Sequence, residues 1–210
     1  MNFQPIVEGH GEVRAFPILL RRLRDEAQAF DIDVNAPIRR KRSELVKEDG
    51  LRRAVQLALM QPKCGCIIVL FDCDADCAGE LSPRLLEWAQ AEARKIPCRI
   101  VMATKEYEAW FLASIESLRG IRGIRDDAVS HPDPEAPRAV KSHLEQRMLR
   151  ERSYSETADQ PALSARFDMR LAYLSCRSFR HLVKAFGELV SACGSGHESW
   201  PPPGWHETKE

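Results

Sequence analysis

The chain has 210 residues, and its 31 Lys and Arg balance 31 Asp and Glu to a formal charge of zero. That length suits one α/β domain, or one domain with a small appendage, and excludes two full ones. Apolar residues at 44% and charged residues at 30% exclude a wholly disordered chain, and no apolar run approaches the roughly 18 residues that read as a membrane span.

The opening MNFQPIVEGHGE has no basic region, so no signal peptide is expected. Phe3–Glu8 reads as a first strand that runs into Gly9-His10-Gly11. From Val13 to Phe30, apolar residues recur at three-or-four spacing, which predicts an amphipathic helix. Pro17 moves its expected start toward Ala15, with the proline in the first turn. A weak second strand is expected at Val34–Arg39, and a helix at Gly50–Gln61 closed by Pro62. Cys66–Phe71 (CIIVLF) is continuously apolar and rich in β-branched residues, the pattern of a strand buried on both faces of a parallel sheet.

Ser82-Pro83 reads as N-cap and first residue of a helix to about Lys95. Pro97–Ala103 is the next strand, and a helix through Trp110–Leu118 follows it. This alternation predicts an α/β fold, a mostly parallel, Rossmann-like sheet with flanking helices. A Gly-, Pro- and Asp-rich stretch at Gly120–Pro137 precedes helical patterns at Arg138–Arg150, Leu163–Leu174 and Phe179–Val190. The expected organisation is an α/β domain over 1–118, a helical extension over 119–192 packed on the same domain, and a flexible tail over 193–210, disordered or loosely docked. Seven cysteines, an odd number with several in apolar segments, suit reduced thiols in the cytoplasm.

Charge is segregated along the chain. Seven basic residues, among them Arg39, Arg40 and Lys41, face three acids between Arg39 and Arg53. Arg166, Arg170, Arg177, Arg180 and Lys184 face Asp168 alone between Ser164 and Phe186. Both stretches are candidate contacts for a phosphate backbone, and both also have the composition of solvated helix faces.

In open parallel sheets, ligands gather beyond the carboxyl ends of the strands. The first strand here ends at Glu8, with Glu12 four residues on. The central strand ends in Asp72-Cys73-Asp74-Ala75-Asp76, and the last leads into Lys105-Glu106-Tyr107-Glu108. Carboxylates gathered there repel one another unless a hard cation neutralises them. Mg²⁺ or Mn²⁺ suits such oxygen ligands. Neither a dinucleotide fingerprint nor a phosphate-binding G-x-x-x-x-G-K-[ST] loop is present. Cys64, Cys66, Cys73 and Cys77 depart from zinc-knuckle spacing and read as thiols packed around the central strand.

Ile6-Val7-Glu8-Gly9-x-x-Glu12 resembles the first motif of toprim domains, and Ile68–Phe71 followed by Asp72-x-Asp74 resembles their D-x-D motif. Lys105-Glu106-x-Glu108-Ala109-Trp110-Phe111-Leu112 and Arg177-Ser178-Phe179 resemble a bacterial toprim-like family of unknown function, related to the overcoming-lysogenisation-defect (OLD) nucleases. The resemblance implies a Mg²⁺-dependent fold for cutting or joining phosphodiesters, with Glu8 at the general acid/base position, Asp72 and Asp74 as metal ligands and Glu12 as a second acid. An ATPase would then be a separate protein. Defence against phage or other foreign nucleic acid is implied by analogy alone.

Phosphodiester hydrolysis needs an activated water and a neutralised leaving oxygen, which two cations roughly 3.5–4 Å apart supply. Asp72 and Asp74 are therefore expected as ligands, Glu8 as ligand or base, Glu12 and Glu108 as completing a second site, and Asp76 as a spare ligand. A helix would set Glu106 and Glu108 about 160° apart. That puts Glu108 at the border of the apolar stripe, and Glu106 on the solvated side as a capping residue. Two other readings stay open. One is a haloacid-dehalogenase-like phosphotransfer enzyme using Asp72. The other is a non-catalytic subunit that binds nucleic acid or a partner protein.

Overall fold

The computed structural model describes residues 1–73, 78–194 and 200–206. β1 (Asn2–Val7) leads into α1 (Glu12–Glu26), two short strands β2 (Asp33–Val34) and β3 (Ile38–Arg39), and helices α2 (Arg42–Leu45) and α3 (Glu48–Leu59). Then come β4 (Cys64–Asp72), α4 (Ala78–Ala93), β5 (Cys98–Ala103), α5 (Ala109–Leu112) and a 3₁₀ turn at Ile115–Leu118. Helices α6 (Val140–Glu145), α7 (Asp159–Ser164), α8 (Met169–Ser175) and α9 (Arg177–Ala192) follow, with a 3₁₀ turn at Pro203–Trp205.

The strands order as β2–β1–β4–β5, with β3 also on β1, and these pairings are all parallel. This is the α/β architecture expected from the alternating pattern. Cys66–Phe71 is buried throughout, as a strand covered on both faces must be. Alternate residues feed two cores. Phe3, Val7, Ile68, Leu70 and Val101 pack with α1 and the C-terminal helices. Ile6, Ile67, Val69, Phe71, Ile100 and Met102 pack with α3 and α4. The C-terminal helices share the first of these cores, where Phe186 of α9 stacks on Phe3 of β1 at 5.1 Å. No described helix is long and apolar enough to cross a membrane.

Several boundaries differ from expectation. α1 begins at Glu12, not near Ala15, so Pro17 lies inside the helix. Its ring forfeits one backbone bond, but Pro17 is buried with Phe16, Leu19 and Leu20, and packing outweighs that local cost. Likewise Pro83 is internal to α4 and Ser82-Pro83 starts nothing. α1 also stops before Phe30, which is 68% exposed, because Gln28 adopts a left-handed φ of 48°. The strand expected at Val34–Arg39 is two fragments around Asn35–Pro37, where proline has no N–H to give to a ladder.

The helix expected through Trp110–Leu118 is a short α-helix followed by a 3₁₀ turn. That over Arg138–Arg150 contracts to α6. The one over Leu163–Leu174 is divided, because Asp168 caps a new helix: its Oδ1 accepts from the backbone N–H of Arg170 (2.9 Å) and Leu171 (3.1 Å). Part of the expected flexible tail is docked. Trp205 is 6% exposed, and Trp200 donates its indole N–H to the Val183 carbonyl at 2.7 Å. A Cβ at Gly187 would overlap the Trp200 ring, so glycine makes that seat.

Removing the α8 cap by Asp168→Ala should cost about 1 kcal/mol, while Asp168→Asn, which keeps an acceptor oxygen, should lose only a fraction of that. Urea unfolding of the two variants against the parent measures both.

Candidate active site

Parallel pairing sets the carboxyl ends of β1, β4 and β5 side by side, with Val7 opposite Leu70 and Asp72 opposite Ala103. Glu8 follows β1, Asp72 ends β4, and the Glu106–Glu108 segment follows β5 after Lys105 turns the chain at φ 64°. Asp72 Oδ1 accepts the Tyr107 backbone N–H at 3.0 Å, which ties the end of β4 to that segment. Burial, followed by repulsion from Glu108, Glu12 and Glu8, pushes the Asp72 carboxyl well above its usual range, against the pull of Lys141. Asp74 and Asp76 lie outside the described residues.

Glu12 reaches this edge from the first turn of α1 and is 7% exposed. Its Oε2 accepts the Gly9 backbone N–H. A Cβ at Gly9 would run into that oxygen, so the close approach requires glycine there. At Gly11 a Cβ would overlap Gln160 Oε1 and come within 2.9 Å of the Glu156 carbonyl. Thus each glycine of Glu8-Gly9-His10-Gly11-Glu12 makes room for a different side chain of the site, and His10 between them is exposed. Burial raises the Glu12 carboxyl, and hydrogen bonds from Gly9 and Gln160 oppose the rise.

Glu108 is fully buried. Its Oε1 accepts the Tyr154 hydroxyl (2.7 Å) and the Gln160 side-chain N–H (3.2 Å), whereas Oε2 has no hydrogen-bond partner among the described residues. Burial pushes this carboxyl up to about 7, opposed by Lys141 and by the Tyr154 hydrogen bond. Glu108 therefore lies deeper than the border position expected of it. Glu106 does not stand on a solvated side capping its own helix. Its Oε2 accepts the Lys141 backbone N–H at 2.9 Å, at the start of α6, and its Oε1 lies 3.6 Å from Lys141 Nζ. The same Nζ is 2.7 Å from Glu156 Oε1. α5 is too short to offer Glu106 a first turn, and the neighbouring helix offers one instead.

Tyr154, Gln160 and Lys141 were not anticipated. Each is a single polar residue in a helical or irregular stretch, with no motif around it. Among the described residues no group of three or more His, Cys, Asp or Glu side chains is disposed to hold a metal ion. Trp110 and Phe111 are fully buried core residues.

The two basic stretches occupy different places. Arg39 donates to the Glu8 carbonyl (3.4 Å) and Arg42 to the Asp72 carbonyl (3.2 Å), so the β3–α2 segment lies against the acidic edge. Arg40 is half-buried there and Lys41 exposed. In the C-terminal stretch, Arg170 donates to the Gly204 carbonyl (2.7 Å). Arg180 donates to the Tyr173 (3.0 Å) and Leu174 (2.9 Å) carbonyls, and Lys184 lies 3.9 Å from Glu188. Glu188 in turn pairs with Arg99 near the amino end of β5, away from the acids. Arg166 and Arg177 are exposed, and Arg166 stands between α7 and α8, outside the helical register expected of it.

Substitution of Gly11 by Ala should displace Gln160 and with it one of the two donors on Glu108 Oε1. We expect Gly11→Ala to lower the thermal midpoint, and Gly11→Ala with Gln160→Ala to recover part of the loss, since the overlap with Gln160 is then relieved and only the 2.9 Å approach to the Glu156 carbonyl remains. The Glu108 carboxyl also imposes a pH dependence. Its folded-state value near 7 exceeds the ordinary 4.5, so between these pH values the folded chain holds the proton and the unfolded chain does not. Stability must fall as pH rises through this window, by about 3 kcal/mol from this group. Unfolding measured in chelator from pH 4.5 to 7.5 should show the fall in the parent and a flatter profile in Glu108→Gln.

A family model described as "Domain of unknown function (DUF4276)" matches residues 7–186 of the 210. No curated protein and no solved structure matches the chain. The matched span takes in Glu8, Glu12, Asp72 and Glu108, together with Lys141, Tyr154 and Gln160. The chain thus belongs to the family described as a domain of unknown function, DUF4276.

Proposed function

We propose that this protein is a Mg²⁺- or Mn²⁺-dependent phosphodiester hydrolase that acts on nucleic acid. The observation that carries the reading is the convergence of Glu8, Glu12, Asp72 and Glu108 at the carboxyl edge of the sheet, with Glu108 Oε2 buried and without a hydrogen-bond partner among the described residues. Buried carboxylates in mutual repulsion favour protonation or a cation, and this donor set is all oxygen, the set hard divalent ions take. Glu8 and Asp72 would hold the ion, with Asp74 added from the sequence motif. A cation bound there supplies an acidified water and neutralises charge on the leaving oxygen.

The chain's own residues account for the remaining tasks. Tyr154 and Gln160 fix Glu108 through Oε1, which leaves Oε2 as the oxygen that would take a proton. A carboxyl near 7 suits that role at neutral pH. Arg39 and Arg42, anchored on the carbonyls of Glu8 and Asp72, bring positive charge to the flank where a phosphate would lie. Arg40 and Lys41 extend that flank. The exposed Arg166 and Arg177 are more distant candidates, as are Arg170, Arg180 and Lys184, whose side chains are engaged locally. The reading extends to a cytoplasmic protein acting against foreign nucleic acid, with any ATPase supplied by a separate chain.

Asp72→Asn retains the acceptor for the Tyr107 N–H, so it should fold and lose metal-dependent cleavage. Glu108→Gln should lose about 100-fold or more, the range for a general base, and Glu106→Gln much less. Cleavage of plasmid, single-stranded DNA and RNA is measured with Mg²⁺, Mn²⁺ and chelator. Undiminished metal-dependent cleavage by Asp72→Asn, or no cleavage of any substrate by the parent chain, overturns the reading.

A further inference from the structure

The opposite edge of the sheet gathers thiols. In the pairing of β1 with β4, Asn2 lies opposite Cys64 and Phe3 opposite Cys66, so Gly65 is an extra residue and the register shifts. Such a bulge breaks the strand's alternation. Cys64 accordingly packs with the α3 and α4 core, and Cys66 with the core of α1 and α9. Cys193 caps the end of α9 on that second face, its Sγ 3.8 Å from the carbonyl of Gly65, the residue before Cys66, and it packs against the core that holds Cys66. Cys66 is fully buried, whereas Cys193 is partly exposed.

We propose that Cys66 and Cys193 form a redox-reactive pair, in which a hydroperoxide oxidises Cys193 and Cys66 resolves the product to a disulfide. Exposure sets the order, because only Cys193 can meet the oxidant. The neighbouring thiols shift each other, Cys193 downward and Cys66 upward, so the accessible sulfur is the more readily ionised of the two. That thiolate attacks the peroxide. A sulfur–oxygen bond forms as the oxygen–oxygen bond breaks, and hydroxide leaves when the oxidant is hydrogen peroxide. The Cys66 sulfur then attacks the sulfenic sulfur. The disulfide forms, the sulfur–oxygen bond breaks, and water leaves with the Cys66 proton. Two thiols and one hydrogen peroxide thus give one disulfide and two waters. The resulting link would fasten the end of α9 to the start of β4.

The test treats the full chain with stoichiometric hydrogen peroxide, blocks residual thiols, digests it, and maps peptides by mass spectrometry without reductant. We expect a Cys66–Cys193 cross-linked peptide that dithiothreitol dissolves. Cys66→Ser and Cys66→Ala should each trap a sulfenic acid on Cys193, captured by dimedone, and Cys193→Ser should leave Cys66 unoxidised. Using two variants at Cys66 separates lost chemistry from a folding defect. A Cys64–Cys193 link in the parent chain, dimedone capture at another cysteine in place of Cys193, or recovery of both thiols unmodified overturns the proposal.

Discussion

A fully buried carboxylate governs the arrangement of this molecule's carboxyl edge. Glu108 is fully buried, and burial without compensation is costly for an ionised group. Two donors satisfy one of its oxygens, and both come from the C-terminal third of the chain, Tyr154 before α7 and Gln160 within it. Lys141 supplies compensating charge and is itself held between Glu106 and Glu156. The C-terminal helices are therefore part of the same unit as the sheet, and the sheet's acidic edge depends on them. Asp72 and Glu12 shift in the same direction as Glu108 and for the same leading cause, burial.

The sheet was legible because burial on both faces leaves a composition no other element has. CIIVLF could be read as a central parallel strand from its residues alone, and β4 contains it with every side chain covered. The acids at strand ends were legible for a topological reason: parallel strands deliver their carboxyl ends to one edge, so Glu8, Asp72 and Glu108 had to be neighbours once the alternation was recognised. The glycines at 9 and 11 looked like the furniture of a turn. Their steric role became visible only with Glu12 and Gln160 beside them.

What could not be read depends on contacts far apart in sequence. Nothing around Tyr154 or Gln160 marks either as a partner of Glu108. Pro17 and Pro83 misdirected two helix starts, because local backbone preference was weighed without the apolar faces that override it. Asp168 is a residue type that caps helices, but it stands within a run of helical spacing, and the periodicity concealed the break. The basic residues were grouped by sequence distance, yet one group leans on the carbonyls of the acidic edge. Within the other, Arg170 and Arg180 are bound to carbonyls of the C-terminal segments and Lys184 lies near Glu188.

The separation between Glu108 and its two donors, 46 and 52 residues along the chain, has a kinetic side. Contacts of long sequence separation carry a loop-closure cost and form late. A chain growing from its amino end has all the strands of the sheet once it passes Ala103, but has no donors for Glu108 until residues 154 and 160 follow. At the rates of synthesis in cells, about 5–20 residues per second, that interval lasts seconds. During it Glu108 has neither of the two donors that hold it in the folded chain. A site built on Glu108 is thus completed only when the C-terminal part of the chain has been made.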